Sequence, residues 1–374
     1  MTEATMRRGN SAHSNVYHPD RVGDETLIGL VSCYSPSGQE NAAAHWLVER
    51  MKCLGYTHAY LDEVGNAIGI MGFGSKQVVL LGHIDTVPGE IPVRLEGNLL
   101  YGRGTVDAKG ALAAFVEAVA QVAAMPHIAP LRDWQYIVIG AVDEEGDSKG
   151  ARYAATHYHP DFALIGEPNH WTRIALGYKG SAWAEVTVQS QQRHSANGEP
   201  TACERAVDLW LSVKNATEAF NAQMLRHFDQ LLLTLGDMSS GQDGFTQWAR
   251  LRIGVRLPPG ITPEQWYARL ESLAKEAQVE RVGYAIPAWV CEKNTPLVRA
   301  FLRAIRAHGK TPSFVFKSGT SDLNVVAPIW KCPALVYGPG DSHLDHTPFE
   351  FIDLEEYHNA VQVLTEALLI LSGA

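Results

Sequence analysis

Two periods alternate along the chain. Between residues 38 and 176, short continuous apolar runs are separated by stretches whose apolar positions recur every three to four residues. "GQENAAAHWLVERMKCLG" reads as a helix closing at Gly55, "NAIGIMG" and "QVVLLGH" as strands, and "AKGALAAFVEAVAQVAAM" as a long helix. "WQYIVIGAV" and "FALIGE" are two more strands. Strands with no polar face are covered on both sides, so the pattern predicts an α/β fold, a layered sheet with helices on each face.

After "IALGYKG" the period changes. "SAWAEVTVQ" alternates strictly, as a half-exposed strand does, and the helical stretch "TACERAVDLWLSVKNATEAF" follows. The strands "LLLTLG" and "WARLRIGVRL", a helix opened by "TPEQWYARLESLAKEA" and the strand "VERVGYAI" complete a β-α-β-β-α-β order. That order is the ferredoxin-like split arrangement, an antiparallel sheet with its helices on one side. The Gly/Ser-rich "GDMSSGQDG" at 236–244 reads as a flexible hairpin loop. The first pattern resumes near Thr295 with the helix "PLVRAFLRAIRAHG", the strands "SFVF" and "ALVYG", and a closing helix from Asp353. The expected division is one domain over 23–178 and 290–374 with a second, 179–289, inserted. Residues 1–22 mix charge, Ser and Asn without an apolar core and read as a disordered leader.

Composition narrows the function classes. The 374 residues are 46% hydrophobic and carry a formal net charge of -10, which argues against a general nucleic-acid or anionic-membrane binder. No apolar run approaches the ~20 residues of a membrane span. Cys33, Cys53, Cys203, Cys291 and Cys332 are scattered and odd in number, without a C-x-x-C pair. Buried, reduced thiols in a soluble cytoplasmic protein are the expectation.

The predicted strand ends carry the chemistry. His83 and Asp85 end one strand, Asp107 lies in "GRGTVDAKG", Glu144 and Glu145 follow another strand, Glu167 closes "FALIGE", and His346 sits in "DHTPFE". Ligands of open α/β sheets gather at the carboxyl ends of strands, so these side chains can converge although distant in sequence. Two imidazoles among several carboxylates suit zinc better than magnesium or calcium, and the carboxylate count suggests two ions, with Asp107 as the best bridge. Alternation on a strand puts Asp85 on the face of His83, placed to hold the imidazole that binds metal. Of the adjacent Glu144 and Glu145, one is assigned to metal and one to proton transfer. "GRG" lacks the third glycine of a dinucleotide fingerprint.

In order, "GHIDTVP", "YGRGTVDAKG", "DEEGDSKGAR", "GEP" and "GPGDSHLDHTPFE" resemble the successive motifs of the zinc-dependent amidohydrolases related to aminoacylase, acetylornithine deacetylase, succinyl-diaminopimelate desuccinylase and carboxypeptidase G. The resemblance runs from about residue 25 to the end. It implies a mixed-sheet catalytic domain of the zinc-exopeptidase type with an inserted ferredoxin-like lid and dimerisation domain. It further implies two Zn2+ ions, replaceable by Co2+, one on His83 and Glu167, the other on Glu145 and His346, with Asp107 bridging. Glu144 becomes the general base and Asp85 the residue behind His83. His194, in "YKGSAWAEVTVQSQQRHSANGEP", falls where the family has a histidine that reaches the partner subunit's active site and stabilises the oxyanion. His343 does not match the H-x-P-x-E pattern and reads as a surface histidine.

Finer matches, "GEIPVR", "LGYKG", "VRLPPG", "KSGTSDLN" and the last motif, look most like the branch that releases lysine or ornithine from the C-terminal γ-glutamyl of an acidic, LysW-type amino-group carrier protein in lysine and arginine biosynthesis. Arg256 is the candidate clamp for the α-carboxylate of the released amino acid. Lys317, Thr320, Ser321 and Asp322 are further substrate candidates, with Asp322 placed to accept an ε-ammonium or simply to cap a helix. An acidic carrier calls for a basic rim, for which Arg173, Lys179, Arg193, Arg205, Arg250 and Arg252 are available. The alternatives are an N-acetylornithine deacetylase, another N-acylamino acid deacylase or a dipeptidase, which share every metal residue. More remote is a non-catalytic binding protein of the same fold.

Overall fold

The computed structural model describes residues 24–125 and 130–373; the leader expected at 1–22 lies outside them. Helices α1 (Asp24–Ser32) and α2 (Asn41–Cys53) lead into the strands β1 (His58–Leu61), β2 (Ala67–Met71) and β3 (Lys76–His83). The short β4 (Arg94–Glu96) and β5 (Leu99–Tyr101) precede α3 (Lys109–Ala124), α4 (Pro130–Asp133), β6 (Trp134–Ala141), α5 (Lys149–His157), β7 (Phe162–Gly166) and β8 (Arg173–Tyr178). The second unit runs β9 (Gly180–Gln191), α6 (Ala202–Asn221), β10 (Leu232–Gln242), β11 (Thr246–Leu257), α7 (Pro263–Ala274) and β12 (Gln278–Ile286). Then follow β13 (Trp289–Val290), α8 (Pro296–Ala307), β14 (Ser313–Lys317), α9 (Leu323–Trp330), β15 (Ala334–Val336), β16 (Phe351–Asp353) and α10 (Leu354–Ser372).

The main sheet has the order β1-β2-β6-β3-β7-β15-β8-β13, with β14 also alongside β8. Its central strands β6, β3, β7 and β15 are parallel, so their carboxyl ends open on one edge. The apolar runs are buried on both faces: Val78 to Leu81 and Ile137 to Ile139 are at most 1% exposed. Gly82, Gly140 and Gly166 stand in register across three strands near this edge. A Cβ at Gly82 would come within 3.2 Å of Leu112, and one at Gly166 within 2.9 Å of Phe115, so the row lets the start of α3 lie close on the sheet. That approach brings Asp107, just ahead of α3, beside the strand ends.

In the second unit the sheet order is β10-β11-β9-β12, antiparallel throughout, and α6 and α7 pack on one face over Val186, Leu251 and Ile253, α7 contributing Leu270. Both helices start with a capping box, Thr201 with Glu204 and Thr262 with Gln265. The chain rejoins the main sheet at Trp289, opposite Tyr178.

One expectation is overturned. The segment 236–244 is not a loop: after a register shift at Gly236, β10 continues to Gln242, paired with Gln247, and the turn follows it. The glycines that suggested flexibility make room for indoles. A Cβ at Gly241 would lie 2.7 Å from the Trp248 ring and one at Gly236 2.9 Å from Trp183. Strands too short for a period to register, β4, β5 and β16, form a separate three-stranded sheet that the sequence did not reveal.

The chain crosses between the units at residues 179–180 and 287–288, and one side chain holds both crossings. Buried Asn324, in α9, donates through Nδ2 to the carbonyls of Pro287 (2.8 Å), Lys179 (3.2 Å) and Tyr178 (3.4 Å). Its Oδ1 accepts from the Ser321 N–H at 3.1 Å. Among the described residues no helix is long and apolar enough to cross a membrane.

Candidate metal centre and its cleft

Each parallel strand delivers one part of the site. His83 is the last residue of β3, Glu144 and Glu145 follow β6 through a turn in which Asp143 takes a φ of 65°, Glu167 follows β7, and the loop after β15 brings His346, with a φ of 61°. Asp107 stands between the two imidazoles. Its Oδ1 is 3.1 Å from His83 Nε2 and its Oδ2 is 3.1 Å from His346 Nε2. Glu145 Oε1 lies 3.0 Å from His346 Nε2.

Three overlapping donor groups result: His83, Asp107 and Glu167; Asp107, Glu145 and His346; and His83, Glu144 and Glu145. In each, the donor atoms lie within 4.8 Å of one another. The first two share Asp107 and together contain the five ligand candidates. Nitrogen and carboxylate donors in sets of three are the chemistry of a zinc site that keeps positions open for water or substrate.

The electrostatics fit a cation. Burial opposes charge on the His83 ring, yet the hydrogen bonds it donates to the Asp107 and Asp85 carboxylates hold its pKa well above the usual histidine value. Hydrogen bonds to Asp107 and Glu145 push His346 up to about 10. Burial drives Glu144 and Glu167 well above the usual carboxylate range, against the pull of His83, with neighbouring carboxylates adding to the rise. Buried carboxylates therefore exceed the cations available to them, an imbalance that bound divalent ions relieve.

Asp85 does more than the strand argument allowed, and differently. β3 ends at His83, so alternation does not set the pair. The acceptor nearest His83 Nδ1 is the Asp85 backbone carbonyl at 3.0 Å, with the carboxylate at 3.5 Å. That carboxylate accepts from the N–H groups of Glu144 (3.0 Å) and Glu145 (3.1 Å) and from Ser37 Oγ (2.7 Å). One buried group thus ties the His83 strand end to the turn bearing both glutamates.

The site opens into a cleft of about 680 Å³ between the two units. Arg256 and Thr320 line it and join across it, Arg256 Nη1 donating to Thr320 Oγ1 at 3.0 Å. Lys317 lines it as well, with Nζ engaged by the Pro168 carbonyl (2.9 Å) and Ser342 Oγ (2.7 Å). Ser321 and Asp322 do not belong to the cleft wall: each is 1% exposed. Asp322 precedes α9 without a side-chain cap bond, and burial pushes its carboxyl up to about 7. It is closed off from an incoming ammonium group in this conformation.

His194 lies outside its own chain's cleft, in a separate cavity at the far end of the inserted unit, where its Nδ1 accepts from the Ala196 N–H. His343 is exposed and bonded to Asp341 at 2.7 Å. The six basic residues do not form one rim. Arg252 reaches the cleft, Arg173 is exposed at the start of β8, Arg193 and Arg205 border the cavity of His194, Arg250 pairs with Glu185, and Lys179 is fully buried, bonded to the carbonyls of Phe228 and Gln230. The reading of the sequence passed over Trp183 and Tyr284, which line the cleft. The signal was present: Trp183 sits on the polar phase of an alternating strand, where an aromatic side chain faces away from the core.

The pattern of peptidase family M20/M25/M40 matches residues 79–370. A [LysW]-lysine hydrolase of Deinococcus radiodurans is 45% identical over 363 residues, 95% of this chain and 99% of its own. A [LysW]-lysine/[LysW]-ornithine hydrolase of Sulfurisphaera tokodaii is 28% identical over 92% of this chain and 94% of its own. Among solved structures, the M20 family metallo-carboxypeptidase Sso-CP2 of Sulfolobus solfataricus superposes with a TM-score of 0.76 at 17% identity, covering 95% of this chain and all of that one. Aminopeptidase PepT of Bacillus cereus gives 0.74 at 18%, over 94% and 98%. At these identities the structures speak for the fold.

Proposed function

Because the chain belongs to peptidase family M20/M25/M40 and is an amide-hydrolysing enzyme, we propose that it releases lysine, or ornithine, from the C-terminal γ-glutamyl of an acidic amino-group carrier protein, as a step of amino-acid biosynthesis in the cytoplasm. The observation that carries this reading is the near-full-length similarity to a [LysW]-lysine hydrolase. The Arg256–Thr320 pair, facing the candidate metal centre across the cleft, supports it, because a free amino acid leaving group presents an α-carboxylate.

In this reading His83, Glu167 and Asp107 would hold one zinc ion and Asp107, Glu145 and His346 a second, and the ions would supply Lewis acidity to activate water and polarise the scissile carbonyl. Glu144 takes the proton of the attacking water and passes it to the amine nitrogen as the C–N bond breaks. The products are the free amino acid and the carrier's glutamate. Asp85 keeps the His83 ring and the backbone of Glu144 and Glu145 in place, so base and ligands move as one piece. Arg256 and Thr320 receive the α-carboxylate. The inserted unit serves as lid and dimer contact, and His194 stabilises the oxyanion in the cleft of a partner subunit, a role compatible with its distance from its own.

The test is amine release from two substrates in parallel, the carrier bearing γ-glutamyl-lysine and N-acetylornithine. Efficient lysine release with little deacetylation is expected. The reverse would keep the hydrolytic centre and overturn the substrate.

A further inference from the structure

The motif that carries His346 ends at Glu350, which takes no direct part in the proposed reaction. Glu350 is 0% exposed and stands immediately before β16. Its Oε1 accepts from the backbone N–H of Val106 at 2.8 Å and of Asp107 at 3.2 Å. Its Oε2 accepts from Arg103 Nη1 at 3.0 Å, and Arg103, also buried, donates through Nε to the Gly89 carbonyl at 2.9 Å. Gly102 N–H donates to the Glu350 carbonyl, and Tyr101 pairs with Phe351. The loop that carries Asp107 is therefore fastened at several points to the segment that carries His346.

Stability alone does not call for this arrangement. A buried ion pair repays its desolvation poorly, and an apolar pair of similar volume is often neutral or stabilising. What an apolar pair lacks is an anionic acceptor for two successive backbone N–H groups, the second of which belongs to Asp107. The Asp107 carboxylate meets both imidazoles at 3.1 Å, so a small rotation of its backbone would bring one oxygen closer to its ring and carry the other away.

We infer that Glu350 is a positioning residue: it fixes the backbone at Asp107 so that one carboxylate serves both donor groups, and thereby governs whether two divalent ions bind together. Arg103 keeps Glu350 in place and compensates its charge. The inference rests on the two-ion part of the proposed reading and is independent of which amide is cleaved.

The experiment is zinc binding to the metal-free full chain, followed by chelator competition and by metal content per chain, for wild type, Glu350→Ala, Glu350→Gln and Arg103→Met. Loss of a residue that orients a ligand typically weakens metal binding ~10–100-fold, and this loss is expected for the second ion of Glu350→Ala while the first stays tight. Glu350→Gln keeps an oxygen for the two N–H groups and should lose less than Ala. Should Ala not fold, Gln and Arg103→Met carry the test, each with a weakened second ion. Two ions bound with wild-type affinity in the folded variants would overturn the inference, as would equal weakening of both ions. A wild-type chain that takes up a single ion would overturn it together with the two-ion reading.

Discussion

Replacing Asn324 with Leu tests the joint between the two units. The two side chains are close in size, so the change removes hydrogen bonding with little change in packing. Two buried groups are left without their partner: the Ser321 N–H, which Oδ1 accepted at 3.1 Å, and the Pro287 carbonyl, which Nδ2 reached at 2.8 Å. The weaker contacts to Lys179 and Tyr178 are lost as well. An orphaned buried polar group costs about 1–3 kcal/mol, so the variant should lose about 2–6 kcal/mol, a large share of a typical total of about 5–15 kcal/mol. Asn324→Asp discriminates further. It keeps an oxygen for Ser321 but turns a carboxylate toward three carbonyls, beside the buried Asp322, and should be less stable than Leu although it is the more polar change. Both crossings pass this side chain, so the cleft wall built by Arg256 and Trp183 shifts relative to the glutamates. A displacement of about 1 Å costs about 10²-fold in rate, and kcat/KM should fall accordingly. Urea unfolding followed by tryptophan fluorescence and steady-state amine release measure the two effects. A Leu variant within about 0.5 kcal/mol of wild type, or an Asp variant more stable than Leu, would refute the reasoning.

Glu144→Gln should keep the zinc content and lose about 10²–10⁴-fold in turnover, the usual contribution of a positioned acid–base group; turnover near wild type would remove Glu144 from proton transfer. Arg256→Met should lower kcat/KM for the γ-glutamyl-lysine substrate about 10–100-fold through KM, the equivalent of about 1.5–3 kcal/mol for a charged hydrogen bond, and an unchanged KM would place the α-carboxylate elsewhere. Zinc affinity of the metal-free chain should rise with pH through neutrality. His346, with a pKa near 10 in the free site, is protonated there and must release its proton to bind metal, so binding is favoured as pH rises toward that value. Chelator competition between about pH 6 and 8 measures the slope, and a flat profile would exclude His346 as a ligand.

The layers were legible in the sequence because both kinds of strand write their burial directly. A parallel strand covered on two faces has no polar position, as in Val78 to Leu81, and a strand covered on one face alternates, as β9 does from Ala182 to Val188. What escaped had either too few residues for a period, as in β4, β5 and β16, or a composition with two meanings. Glycines in 236–244 signal flexibility when nothing covers them and close packing when an indole does, and only the neighbouring strands of the sheet decide. The ligand candidates were legible as a set, because parallel strands deliver their carboxyl ends to one edge whatever their separation along the chain.

The segment "KSGTSDLN" shows where such legibility stops. Its residue types suit a substrate pocket, yet only Lys317, Gly319 and Thr320 line the cleft, while Ser321, Asp322 and Asn324 turn inward. The chain leaves β14 at Lys317 and enters α9 at Leu323, and Asp322, just before the helix, already has helical dihedrals (φ -56°, ψ -19°). Across this bend Thr320 lines the cleft, while the next two residues, Ser321 and Asp322, are buried away from it. Asn324, at the start of α9, is bonded to Pro287 and Lys179, far away in the sequence, so the course of this segment involves contacts that no local pattern records. The joint at Asn324 thus adjoins the segment in which Thr320 meets Arg256 while Ser321 and Asp322 stay buried, so the course of the cleft wall and the packing between the units are one structural question.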